Sequence, residues 1–366
     1  MLRVMTTSTA VATHLLHAGE VPMSVAVLHT FPSPAIESAW RALLLRVPVP
    51  SHYTSPEYFL EPYFEGKRPF AVLALRGSSV VGVLTGFHEG ESVTCGLPTR
   101  PQIQLDPAVD HAAVLGVLAR GLRSEAVRAQ LVSIYSWEWL SLRPLIEFGY
   151  RSRILTGNPV LDLTRGPEEL LRECDGKRRN CIRYAMRHGV EVRPAETPQD
   201  YAEFYQIYAG WCAAKRTHCY PFETEELAYR TTGKNRRLFV ARYEGKVIAG
   251  SVFRFIPGGL VEYSRNSSLP EYQRLKPNDL LVWRAVEWAS AQGFPMLSMG
   301  GSHRFLREFG GSILPIVRYR MDRTFLRRHD RCEQLNDAAR SCLAKLPPAW
   351  EQRVRRWIGK EVRAGW

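Results

Sequence analysis

No stretch of this 366-residue sequence approaches the roughly 18–20 consecutive apolar residues of a membrane-spanning helix. The first twenty residues, MLRVMTTSTAVATHLLHAGE, also lack the unbroken apolar core of a secretory signal, so a cytoplasmic location is expected. Cysteine supplies no framework either. The seven, at 95, 174, 181, 212, 219, 332 and 342, are odd in number and form no CxxC pair, which argues against a disulfide scaffold and a zinc ribbon and predicts reduced thiols. Cys212, His218 and Cys219 cluster but lack a fourth donor, so no metal is expected. Ser302, in GGSHR, does not sit in a GxSxG elbow, so no serine nucleophile is expected.

Negative charge is scarce in one half. Residues 1–165 hold 14 Lys and Arg against 13 Asp and Glu, so the remaining 35 against 23 carry +12 of the net +13. Arginine dominates in KRRNCIRYAMRH (177–188) and in the tail from Arg318 to Arg363. Such a surface suits a polyanion, and a binding protein without catalysis is one reading that charge leaves open.

With 45% hydrophobic residues the chain can bury two ordinary cores. A long-range repeat supports that division: FAVLALRGSSVVGVLTGFHEGESVTC (70–95) aligns without a gap on LFVARYEGKVIAGSVFRFIPGGLVEY (238–263), with Gly77 on Gly245 and Phe87 on Phe255. Both copies read as consecutive antiparallel strands split by glycine turns. Each is preceded by helical sequence and followed by a helix, a short strand and a matching phrase, LIEFG (145–149) or LREFG (306–310). The predicted class is mixed α/β with an α+β element order, as a tandem of one unit. The predicted domains are 1–165, 166–325 and a basic helical tail, 326–366.

The order of four phrases resembles the FemAB-like proteins, which carry the GNAT fold in tandem: YTSPEYF (53–59), RRNCIRYAMRHGVEV (178–192), YQRLKPNDLLVWRAVEWASAQGF (272–294) and RFLREFGGSILP (304–315). The likeness spans about residues 35–320. It implies an acyltransferase with a degenerate first unit and a donor site in the second, where two strands splay to admit the acyl group. In this family a lysine commonly follows the first Phe of the fourth phrase and stabilises charge during transfer. Here that position is Leu306, so Arg307 or Arg304 is expected to supply the cation.

Around the implied gap, Glu262 and Tyr263 point to opposite faces of one strand, as candidate base and proton relay. Arg265, Lys215 and Arg216 are expected to contact substrate. The junction SSLPEYQRLKPNDLL (267–281) contains no glycine, whereas a coenzyme A-binding GNAT usually lays pyrophosphate on a glycine-containing loop. Pro277 removes one N–H donor, so Arg274, Lys276 and Asn278 are expected to meet phosphate with side chains. Arg179, Arg183 and Arg187 recur at every fourth position, about 6 Å apart on one helix face, and are expected to track a nucleic-acid backbone. The preferred expectation is a tRNA-dependent aminoacyltransferase that forms an amide on a small-molecule, peptide or cell-wall amine, with no metal or other cofactor. The alternative is an N-acyltransferase fed by acyl-coenzyme A or an acyl carrier protein.

Overall fold

The computed structural model describes residues 22–61, 66–232 and 235–344. The first half runs β1 (Met23–Leu28), α1 (Pro34–Leu44), two 3-10 turns at His52–Thr54 and Pro56–Leu60, then β2 (Arg68–Arg76), β3 (Ser79–Glu89), β4 (Ser92–Cys95) and β5 (Ile103–Leu105). It closes with α2 (His111–Glu125), β6 (Leu131–Trp137), α3 (Pro144–Glu147) and β7 (Arg151–Asp162). After α4 (Pro167–Glu173), α5 (Gly176–Arg187) and β8 (Glu191–Pro194), the pattern repeats. It gives α6 (Pro198–Lys215), α7 (Phe222–Thr232), β9 (Arg236–Tyr243), β10 (Lys246–Arg254), β11 (Leu260–Ser268), α8 (Pro277–Ala291), β12 (Met296–Ser298), α9 (Arg304–Arg307), β13 (Ser312–Asp322) and α10 (Arg328–Ala344). The repeated sequence is a repeated structure, with β2, β3 and β4 recurring as β9, β10 and β11.

The strands form one sheet in the order β1-β2-β3-β4-β6-β13-β7-β12-β11-β10-β9-β8, with β5 paired to β3. The halves exchange their last strands. β7 pairs with β12 of the second half, β13 pairs with β6 of the first, and β7 and β13 pair with each other between them. Both faces of the sheet are covered, which is why so many strand residues are apolar without alternation. Helix α8 buries Leu280, Leu281, Trp283, Ala285 and Val286 against Phe239, Phe253, Val261 and Leu297. On the other face α6 packs Phe204, Ile207 and Tyr208 onto Leu238, Val240 and Val252. In the first half α2 and α1 cover the two faces in the same way.

Expectation and structure part in the tail. Arg318 and Arg320 do not join a basic surface, because Glu333 of α10 bonds both, with Arg318 Nη1 at 2.9 Å and Arg320 Nη1 at 3.0 Å. The acidic side chains of α10 satisfy arginines of β13 at close range. The segment carrying Trp350 and Trp357 lies outside the described residues.

The central crossing needs a glycine. A Cβ on Gly157 in β7 would lie 2.0 Å from the carbonyl oxygen of Leu314 in β13, beside the register shift between Leu314 and Ile316. Backbone cannot retreat as a flexible side chain can. Gly157→Ala is expected to cost about 3 kcal/mol or more, the upper tail of single-substitution effects. A urea midpoint unchanged from wild type would show that the two strands are not held this closely.

Candidate active site

β11 and β12 pair in parallel over only three residues, Leu260–Glu262 against Met296–Ser298. β11 then continues to Ser268, whereas β12 stops and the chain turns at Gly300, whose φ is +62°. A Cβ there would lie 2.2 Å from the Tyr263 carbonyl oxygen, so the turn closes against β11 only because residue 300 is glycine. On its other edge β11 carries a bulge: Val252 pairs with Arg265 and Phe253 with Tyr263, leaving Ser264 extra. Strand separation and bulge thus fall within three residues of each other.

A buried polar cluster surrounds this point. Cross-strand register places Arg236, Arg254, Glu262 and Ser298 in one row over four strands. The Arg254 guanidinium is fully buried and grips Glu61 of the first half with Nε at 2.6 Å and Nη2 at 2.8 Å. Glu61 also lies 2.5 Å from Nε2 of buried His52, and Arg254 Nη1 donates to the Ser264 hydroxyl. Arg100 donates to the Ser264 carbonyl at 3.2 Å and lies over the Tyr53 ring at 5.0 Å. It is positioned by a tight turn at 97–100 whose Thr99 carbonyl accepts from Asn158 of β7.

The electrostatics divide two glutamates. Burial by itself would raise Glu61, but the charge of Arg254 and the His52 hydrogen bond outweigh it and hold the carboxyl well below the usual range. Burial pushes Glu262 up to about 7, against the pull of Arg100 and Arg254 and with a further push from Glu61. Among the described residues the Glu262 Oε2 atom has no hydrogen-bond partner, nor do the Tyr53 hydroxyl and His52 Nδ1. An orphaned carboxylate oxygen beside a strand opening, with a pKa near neutrality, is poised to accept a proton. Burial likewise raises the Tyr53 hydroxyl to about 12.

The expected site residues scatter more widely than the sequence suggests. Tyr263 faces away from Glu262, edge-on to Phe253 at 5.5 Å, and burial raises its hydroxyl. Arg265 is gripped by Glu225 of α7, at 2.9 Å from Nη1 and 2.5 Å from Nη2, and stacks on Tyr208 at 4.1 Å. Asn278 does not cap α8. It ties the helix start to β11, donating to Ser268 at 3.2 Å and accepting from Asn266 at 3.1 Å, while Lys276 is the N-cap residue. Arg274, Lys276, Lys215 and Arg216 are exposed.

Arg304 and Arg307 are exposed on a separate open groove with Glu173, Asp175, Ser302 and His303, and Arg304 pairs with Glu308 at 2.6 Å. They stand outside the buried cluster because α9 turns Leu306, not its neighbours, inward, with 1% exposure. Arg179 is partly spent on structure, its Nη1 donating at 2.6 Å to the carbonyls of Arg172 and Cys174, while Arg183 and Arg187 are exposed. Their neighbour Arg178 points inward. It bonds Asp279 of α8 and Glu308, and its guanidinium lies 4.4 Å from the Phe305 ring. Among the described residues no group of three or more His, Cys, Asp or Glu could hold a metal ion.

Sequence reading missed His52, Glu61, Arg100 and Arg254. For Arg254 a signal existed: one arginine inside the apolar run VIAGSVFRF, where an unpaired charge is not tolerated.

Replacing either glutamate by its amide has opposite expected effects on stability. Glu61→Gln leaves Arg254 buried without its counter-charge and is expected to cost about 3–5 kcal/mol. Glu262 is raised in the fold, so its contribution is full below the ordinary glutamate pKa and is lost as pH rises through about 7. Glu262→Gln should therefore match wild type near pH 4 and exceed it at pH 8 by up to about 3 kcal/mol. Thermal unfolding of both variants at the two pH values checks the signs, and equal destabilisation by both would refute the division.

Residues 176–308 match the family model described as an acetyltransferase (GNAT) domain. No curated protein matches the sequence. Among solved structures, FemX superposes with a TM-score of 0.62 at 12% identity, covering 78% of this chain and 95% of that one. A tandem GNAT protein from the clavulanic acid biosynthesis pathway gives 0.55 at 11%, covering 83% and 99%. The lysylphosphatidylglycerol synthetase L-PGS from Bacillus licheniformis gives 0.54 at 14%, covering 80% and 92%. At these identities the likeness is one of fold: residues 176–308 match a GNAT domain, and the chain as a whole has a tandem GNAT-like fold.

Proposed function

We propose that this protein is an N-acyltransferase in which Glu262 is the general base, and that its donor is an aminoacyl-tRNA. The observation that carries the first part is the unpartnered, buried Oε2 of Glu262 at the point where β11 and β12 separate. Glu262 takes a proton from the acceptor ammonium. That proton passes to solvent; the neutral amine attacks the ester carbonyl, Glu262 takes the second proton from the nitrogen as the C–N bond forms, and it hands this proton to the ribose oxygen as the C–O bond breaks. Arg100 and Arg254 place positive charge beside the reacting centre, and no covalent enzyme intermediate is needed.

The start of α8 supports the choice of donor. Pro277 occupies its first turn, and Asp279 in the same turn is buried against Arg178, so a pyrophosphate laid there meets a carboxylate instead of free N–H groups. Exposed Arg183, Arg187, Arg274 and Lys276 remain for an extended polyanion, beside an exposed Tyr184–His188 ring stack at 3.7 Å. One feature favours the alternative, a thioester on coenzyme A or a carrier protein: Leu306 is buried where FemAB-like enzymes commonly place lysine.

Transfer of label from a bulk charged tRNA pool to mixed amines, with and without RNase pretreatment, decides between donors. An RNase-sensitive amide is the expected product, and an amide formed only from acyl thioesters would overturn the tRNA reading. With the productive donor, kcat/KM should rise tenfold per pH unit below about 7 and level off above it, and Glu262→Gln should lower it by about 10²–10⁴-fold. The triple variant Arg183→Ala/Arg187→Ala/Lys276→Ala should raise KM for charged tRNA, leave kcat near wild type and flatten the salt dependence by about 2–3 in slope. A shifted kcat with unchanged KM would remove these residues from the donor surface.

A further inference from the structure

A narrow crevice is walled by α6 and α7, on the sheet face that carries Arg236, Arg254 and Glu262. Its walls are aromatic: Tyr201 and Tyr229 lie 4.0 Å apart by ring centroid, Tyr205 meets Phe222 edge-on at 5.2 Å, and Tyr208 lies beneath Arg265. Rings in such number suit either a cation or a flat apolar body, and the charges at the base decide between them. Glu225 is the buried acid there, and its oxygens are taken by Arg265 and by Arg236 Nη2 at 3.0 Å. Burial alone would raise Glu225, yet the hydrogen bonds of Arg265 and the charges of Arg265, Arg236 and Arg254 hold it low.

The unmet demand is on the donor side. Arg236 is 5% exposed, lines the pocket, and among the described residues its Nη1 has no partner. A buried guanidinium nitrogen left unpaired is costly, and an incoming carboxylate would satisfy it, whereas an incoming cation would meet buried Arg236 and half-buried Arg265. Register sets the distance to the proposed base. Arg236 pairs with Arg254 and Arg254 with Glu262, so Arg236 and Glu262 stand two cross-strand steps apart, about 10 Å, with long side chains pointing to one face.

We infer that the α6–α7 pocket binds the acceptor and that the acceptor is a free α-amino acid with an aromatic or large apolar side chain. Its carboxylate meets Arg236, its side chain lies among the tyrosines, and its amine is directed to Glu262. The last placement rests on the reading of Glu262 as the base; the first two do not.

The test is direct binding by calorimetry without any acyl donor, so it stands apart from the identity of the donor. Phe and Trp are compared with phenethylamine and tryptamine, which keep ring and amine but lack the carboxylate. Wild type is expected to prefer the amino acids by about tenfold to a hundredfold. Arg236→Gln, which leaves the Arg265–Glu225 pair in place, should abolish that preference while still binding the amines. Tyr229→Ala should weaken both classes alike, and serves as the readout should the arginine variant fold poorly. Amines that bind wild type as well as the amino acids, or no detectable binding of Phe or Trp at millimolar concentration, would overturn the inference. Amino-acid binding with the expected variant pattern but no acyl transfer would uphold it and count against the proposed activity.

Discussion

A fully buried guanidinium has to be neutralised where it stands, and Arg254 is neutralised by the other half of the molecule. Its partner Glu61 follows the 3-10 turn at Pro56–Leu60, which the first half lays across the end of β10. Desolvating this pair is expensive, so the geometry must be kept: two parallel N–H···O bonds, a hydroxyl and an imidazole complete the coordination. The bond therefore holds the first half in register with the second at the place where β11 leaves β12. It also fixes the environment of Glu262, because the same two charges, one attractive and one repulsive, act on that carboxyl.

The exchange of last strands makes such a cross-half contact durable. Since β7 and β13 lie side by side between the two halves, neither half can swing away without breaking ladder hydrogen bonds in the middle of the sheet. The arginine-rich character of the second half resolves into three uses in this frame. Arg178, Arg254, Arg265 and Arg318 are paired with buried or partly buried acids. Arg179 donates to carbonyls at the end of α4. Arg183, Arg187, Arg274 and Lys276 are exposed. Composition reports only the sum of these: each arginine–acid pair cancels within it, so the net +13 does not say where the unpaired cations stand.

Much of the architecture was legible because it is local and repeated. The hairpin strands, the helix after each and the closing LIEFG and LREFG phrases all rest on periodicity and turn residues, and β11 and α8 fall where alternation and helical spacing put them. Strand exchange was not legible, since β7 and β13 read as ordinary strands whichever half they join. Around the site, Glu262 and its opposition to Tyr263 follow from period two along one strand. His52, Glu61 and Arg100 do not: they reach the site from loops some 160 to 200 residues away in sequence, and only the folded register brings them there. Arg304 and Arg307 were placed by analogy with a lysine position that α9 turns into the core, where only an apolar residue such as Leu306 is at ease.

The repeat also explains why the chain builds one such site and not two. Phe87 of β3 pairs with Thr94 of β4 as Arg254 of β10 pairs with Glu262 of β11, so the first copy sets a ring and a hydroxyl where the second sets a guanidinium and a carboxyl. Without a guanidinium at Phe87, no carboxyl is needed opposite it to balance one. The loops of the first half, bearing Tyr53, Glu61 and Arg100, complete the site of the other half. The first copy thus serves the second as a wall: its strands carry no charged pair at the equivalent position, and its loops carry the charges that the second copy uses.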